Sequence, residues 1–113
     1  MHYRPIHGDG PLRIIQRPHG WLEYRFGPGK IMELCTIEVD NEWRDQGIGS
    51  AMIREAESLP EIKTHSIRII YGFVRQENEA VQRFYRRLGY ELIPIGSFYG
   101  RNENAFMVHK VLE

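Results

Sequence analysis

The stretch from Ile31 to Ser58, IMELCTIEVDNEWRDQGIGSAMIREAES, constrains the fold more than any other part of the chain. From Ile31 to Val39 apolar residues dominate both faces, the pattern of a central strand covered on both sides. A polar turn at Asp40 and Asn41 leads to Arg44-Asp45-Gln46-Gly47-Ile48-Gly49-Ser50, and apolar residues then recur at Ile48, Met52, Ala56 and Leu59. That spacing predicts a helix from about Gln46 to Ser58, stopped before Pro60. A strand feeding a glycine-rich turn that opens a helix aims several backbone N–H groups at one small volume, beside the positive end of the helix dipole. Such a volume suits a phosphate. The bare pattern Arg-x-x-Gly-x-Gly equally fits an ordinary strand-to-helix turn whose glycines supply positive φ. No Gly-Lys-Ser/Thr follows, which excludes a Walker loop, and the three-glycine dinucleotide spacing is missing.

Around this centre the chain reads as one domain of 113 residues, enough to bury roughly two thirds of its unfolded surface. Residues 1–11, rich in His, Gly and Pro, suggest an irregular arm. Leu12–Gln16 and Trp21–Phe26 read as strands, the second by clear alternation, and Gly27-Pro28-Gly29 as the hairpin turn before a strand from Lys30 to Val39. Glu61–His65 reads as a linker and Ser66–Val74 as a second buried strand. Asn78–Leu88 is a predicted helix with Val81, Phe84, Tyr85 and Leu88 on one face and Gly89 as its C-terminal cap. Strands at Tyr90–Ile95 and Ala105–Leu112, joined by Gly96–Asn104, complete an order β-β-β-α-β-α-β-β. That order implies a mixed α/β sheet with a right-handed β-α-β crossover at its middle.

Composition narrows the function classes. A formal net charge of zero argues against a general nucleic-acid binder. No apolar run approaches the ~20 residues of a membrane span, and the N-terminus lacks a signal-peptide core. One cysteine excludes an internal disulfide and suits a reducing cytoplasm. The five histidines show no ligand spacing, so no metal is expected.

Two motifs in order now carry a resemblance. Ile37-Glu38-Val39 is followed by Arg44-Asp45-Gln46-Gly47-Ile48-Gly49, and, one strand later, comes Asn78-Glu79-Ala80-Val81-Gln82-Arg83-Phe84-Tyr85-Arg86-Arg87-Leu88-Gly89-Tyr90. Together they resemble the GNAT family of N-acetyltransferases over about residues 12–112. The resemblance implies a mostly antiparallel mixed sheet with helices packed on it. It also implies acetyl-CoA as cosubstrate and direct transfer of the acetyl group to a primary amine, on a small molecule or a protein. The pyrophosphate would sit on the amides of Gln46, Gly47, Ile48, Gly49 and Ser50, with Arg44 and Asp45 in the same turn. Backbone groups of Ile37 and Val39 would pair with pantetheine in a splay between two parallel strands, one N–H polarising the thioester carbonyl. Asn78 would bond the pantetheine chain, although an N-cap role explains it equally.

For chemistry, the resemblance points to Glu33 as base and Tyr85 as the acid for the departing thiolate. Glu33 is expected on the same strand face as Cys35, Ile37 and Val39; its plainer reading is a strand charge paired with an Arg. Glu38, on the opposite face, is the weaker alternative. Tyr85 shares a stripe with Val81, Phe84 and Leu88, so a core tyrosine is its plainer reading. Cys35 reads as a small buried hydrophobe rather than a nucleophile. Arg83, Arg86 and Arg87 read as the solvated face of their helix, with contact to a coenzyme phosphate open to them. The loop Ser97–Asn104 resembles the family's acceptor-binding loop.

The chain also departs from the family. Only about four residues separate its first two strands, where most members insert two helices that wall the acceptor site. Either a homodimer partner would restore that wall, or the acceptor is a large exposed surface that needs none. Phe73 stands where members acting on protein N-termini carry Glu, so that specificity is not inferred. The alternative is a non-catalytic module that binds CoA or a protein partner.

Overall fold

A computed structural model describes residues 10–96 and 104–112. β1 (Arg13–Arg17) and β2 (Gly20–Gly27) form an antiparallel hairpin, and β3 (Ile31–Val39) pairs antiparallel with β2 after a turn in which Gly29 takes φ +83°. A 3-10 turn at Asn41–Trp43 leads to α1 (Ile48–Glu57) and α2 (Pro60–Thr64). β4 (Ile69–Arg75), α3 (Glu79–Arg87), β5 (Glu91–Gly96) and β6 (Ala105–Val111) follow. The six strands lie in the order β1-β2-β3-β4-β6-β5. All neighbours are antiparallel except β3 and β4. Parallel neighbours require a crossover, and α1 with α2 supplies it. The mixed, mostly antiparallel sheet expected from the sequence is the one found.

Cross-strand partners point to the same side of a sheet, so the register sorts the side chains. Leu22, Met32, Ile70 and Val108 fill the side that meets the helices, each 0% exposed, with Met52, Ile53 and Ala56 of α1 and Tyr85 of α3 packed into the same cluster. Burying one such side chain contributes about 1.5–3 kcal/mol, so this layer holds the helices in place. α1 and α3 share this side of the sheet. A Cβ built on Gly49 of α1 would lie 3.3 Å from the Phe84 ring of α3 and 3.6 Å from Ile37 of β3.

Three readings need correction. The predicted linker Glu61–His65 contains α2, whose first residue is Pro60; proline is tolerated at a helix start because its missing N–H would have no partner there. The first long helix starts at Ile48 rather than Gln46, because Asp45 (φ 62°) and Gly47 (φ 83°) are both left-handed. The third concerns β3. Tyr24 pairs with Leu34 and Glu23 with Thr36, which leaves Cys35 as an extra residue in a β-bulge. The bulge reverses the alternation, so Met32 and Leu34 share the helix side with Ile37 and Val39. Glu33 therefore lies on the opposite face from Ile37 and Val39, not on the same one. The predicted arm, apart from Gly10 and Pro11, and the loop residues Ser97–Glu103 fall outside the described residues.

Candidate functional site

The turn between β3 and α1 is shaped by its backbone. Arg44 donates from Nε to the Val39 carbonyl at 3.1 Å, and the Gln46 side chain donates to the Glu42 carbonyl at 3.4 Å. Both bonds curl the turn toward the start of α1. The first N–H groups of any helix have no partner within it, and no side chain caps α1. These donors open onto a cleft of about 890 Å³ between α1 and α3, lined by Ile37, Val39, Arg44, Asp45, Gly47, Ile48, Gly49, Ser50 and Asn78 among others. A Cβ on Gly47 would meet nothing within 4 Å. Open space beside uncapped amides accommodates a phosphate group. Gly49, by contrast, has the Phe84 ring 3.3 Å from where a Cβ would stand, so its missing side chain also makes room for Phe84.

A second cavity, of about 400 Å³, adjoins the first through Ile37, Glu38, Asn78 and Val81. It arises because β3 and β4 pair only from Ile31↔Ile69 to Leu34↔Gly72. Beyond that, β3 follows β2 as far as Val39↔Gly20, and β4 follows β6 as far as Arg75↔Ala105. The two strands thus part where the bulge begins, and the facing edge of β3 from Cys35 to Val39 has no ladder partner on β4. An extended chain fits such an edge as an added strand would.

The expected residues divide as follows. Ile37, Val39, Arg44, Asp45, Gly47, Ile48, Gly49, Ser50 and Asn78 line the first cleft, and Tyr85 lines the second beside Cys35 and Phe73. Asn78 caps α3, its Oδ1 accepting from the Val81 N–H at 3.3 Å. Gln46 contributes to neither lining, and its side chain serves the turn. Glu33 also lines neither cavity. It is 4% exposed on the helix-free face and accepts from Arg25 Nε at 3.1 Å. That hydrogen bond is the main cause raising the pKa of the Arg25 guanidinium. Across the sheet, Glu33 stands in one row with Tyr71, His109 and Glu91, where His109 Nε2 lies 3.9 Å from Glu91 Oε2.

Burial pushes the Cys35 thiol up to about 11, with the nearby Glu33 charge adding to it. A thiol held protonated is a poor nucleophile, which agrees with its reading as a small hydrophobe. Further residues reach the cleft. Trp43 stands at its lip, stacked on His19 with ring centroids 3.7 Å apart, and Arg54, Arg83 and Arg87 line it, whereas Arg86 does not. Arg83 and Arg87, for which the sequence left contact with a coenzyme phosphate open, share a direction through their i, i+4 spacing, and nothing in the sequence pointed to Trp43 or Arg54. Among the described residues no group of three or more His, Cys, Asp or Glu side chains is placed to hold a metal ion, and no helix is long and apolar enough to cross a membrane.

Acetyltransferases are among the known proteins similar to this chain. Residues 10–90 match the model of the acetyltransferase (GNAT) family. An uncharacterized N-acetyltransferase of Methanocaldococcus jannaschii is 37% identical over 81 residues, covering 72% of this chain and 34% of that protein. A mycothiol acetyltransferase of Thermobifida fusca is 25% identical over 101 residues, covering 89% of this chain and 27% of that protein. The chain thus spans about a third of the length of these curated relatives. Among solved structures, the PaiA N-acetyltransferase of Thermoplasma acidophilum, in complex with coenzyme A, has the same fold with a TM-score of 0.68 at 20% identity, over 82% of this chain and 53% of that one. The family match, the relatives and the sheet with its parting strands agree, and the chain belongs to the GNAT acetyltransferase family.

Proposed function

We propose that this chain is an acetyl-CoA-dependent N-acetyltransferase that transfers the acetyl group directly to a primary amine, with donor and acceptor meeting from opposite faces of the sheet. The observation that carries this reading is the continuity between the uncapped start of α1 and the parting of β3 from β4. The pyrophosphate lies on the amides of residues 46–50. The pantetheine arm runs past Asn78 and along the free edge of Ile37 and Val39, and the thioester enters the opening. From the far face, Glu33 stands one residue below the last paired position, about 3.3 Å along the strand. It takes the proton from the acceptor ammonium. The amine nitrogen attacks the thioester carbonyl to form the C–N bond, the C–S bond breaks, the Tyr85 hydroxyl protonates the thiolate, and the second proton shed by the nitrogen restores the Tyr85 hydroxyl. A backbone N–H of the bulged strand stabilises the developing oxyanion. The acceptor is a small molecule or a protein amine; a second copy of the chain beside the helix-free face would wall its site.

One observation favours a second reading. Arg25 neutralises Glu33, the arrangement expected of a structural ion pair in a non-catalytic module. Coenzyme release from acetyl-CoA, followed with a thiol reagent across a panel of polyamines, amino sugars and lysine peptides, separates the two. The enzyme reading expects turnover with some amine and its loss in Glu33→Gln with acetyl-CoA binding intact. No turnover across the panel despite tight acetyl-CoA binding favours the module.

A further inference from the structure

The cleft beside α1 is lined by four arginines, and three of them are not needed by the fold. Arg44 is bound to the Val39 carbonyl. Arg54, Arg83 and Arg87 are exposed, and among the described residues none of their guanidinium groups forms an ion pair or hydrogen bond. Arg83 and Arg87 stand one turn apart on α3, Arg54 one turn beyond Ser50 on α1, so both walls carry positive charge. The carboxylates in the lining, Glu38 and Asp45, belong to β3 and the turn rather than to these helix walls. An arginine in the last turn of α3 is explained by the helix dipole. That explanation covers Arg86 as well as Arg87, and it does not reach Arg83; yet Arg83 and Arg87 line the cleft and Arg86 does not.

Resting on the reading of this cleft as the coenzyme site, we propose that Arg83 and Arg87, with Arg54 opposite, hold the 3′-phosphate of the donor and make the protein selective for CoA over 3′-dephospho-CoA. A pyrophosphate on residues 46–50 sits between the two halves of the coenzyme. The pantetheine half leaves toward the opening between β3 and β4, through the residues common to both cavities. The ribose half leaves the other way, along the walls where the arginines stand. A dianion placed there meets uncommitted guanidinium groups, whose planar donors suit phosphate oxygens.

Titration calorimetry on the full chain with CoA and with 3′-dephospho-CoA tests this. The unaltered protein is expected to bind CoA about tenfold or more tightly, the range of a charge-assisted hydrogen bond. In Arg83→Gln/Arg87→Gln, CoA should weaken most of the way to the affinity of 3′-dephospho-CoA, Arg54 keeping a residual preference, while 3′-dephospho-CoA itself binds as before, which also certifies the fold. Arg86→Gln should keep the original ratio. Equal affinity of the unaltered protein for both ligands would overturn the assignment and leave the coenzyme reading standing. Binding of neither would overturn both. A loss of ratio in Arg86→Gln as large as in the double variant would replace the specific contact with a diffuse field.

Discussion

Gly47 and Gly49 look equivalent in the motif, yet they meet different demands. Gly47 has φ +83° and open space beyond it, whereas Gly49 is hemmed in by the Phe84 ring. Gly47→Ala should cost about 1–2 kcal/mol of stability through its left-handed backbone and, in addition, weaken acetyl-CoA binding, because its methyl projects into the cleft. Gly49→Ala should cost about 1–3 kcal/mol through overpacking between α1 and α3. Urea unfolding with and without acetyl-CoA distinguishes the two. Cys35 gives a second prediction at this scale. With its thiol pKa raised by burial to about 11 from 9.0, alkylation by iodoacetamide at about pH 8 should be far slower than for a free thiol. Cys35→Ala should retain turnover. The sign for stability follows: the contribution is complete below pH 9.0 and is lost between there and about 11 as the unfolded chain ionises first.

Among the elements, the junction of α1, α3 and β6 is tied by polar groups. Tyr90 donates its hydroxyl to Glu57 Oε2 at 2.8 Å, and Lys110 Nζ donates to the same oxygen at 3.3 Å and to the Leu88 carbonyl at 3.1 Å. Tyr90→Phe leaves Glu57 with one partner fewer and should cost about 1–2 kcal/mol. Burial, and then the Glu57 charge, raise the Tyr90 pKa above its ordinary 10.0. Its contribution is therefore complete below pH 10.0 and declines as pH rises beyond it. Unfolding of the Tyr90→Phe variant should show less of this alkaline loss. The order of strands and long helices was legible because each carries its own period. α2 was not, since five residues led by a proline hold less than two turns of pattern. The bulge was legible in principle: apolar residues at 32 and 34 resume at 37 and 39, a slip of one position that an uninterrupted strand does not show. Overlooking that slip put Glu33 on the wrong face. The walls of the cleft came from tertiary packing of α1 against α3, which no local pattern contains.

At the scale of the whole molecule, the sheet separates two faces, and among the described residues β3 and β4 part beyond Leu34 and Gly72. The described helices pack on one side of the sheet, and the glycine turn lies at the start of α1. The other side carries the row of Arg25, Glu33, Tyr71, His109 and Glu91. On the function proposed above, donor and acceptor would bind on opposite sides of the sheet and meet where β3 and β4 part. The exposed apolar side chains Ile14, Ile69, Ile93 and Val111 point to this second side by their register.

Whether the cleft holds acetyl-CoA is decided by a melting curve with and without saturating acetyl-CoA, with ATP and NAD as controls. A ligand present at about 100 times its Kd adds about 2.7 kcal/mol to the folded state, which for a domain of this size raises Tm by roughly 10 °C. The account predicts a rise of that order with acetyl-CoA alone, reduced in Gly47→Ala. An unchanged Tm, or an equal rise with ATP and NAD, would contradict it and leave the glycine turn with a purely structural role.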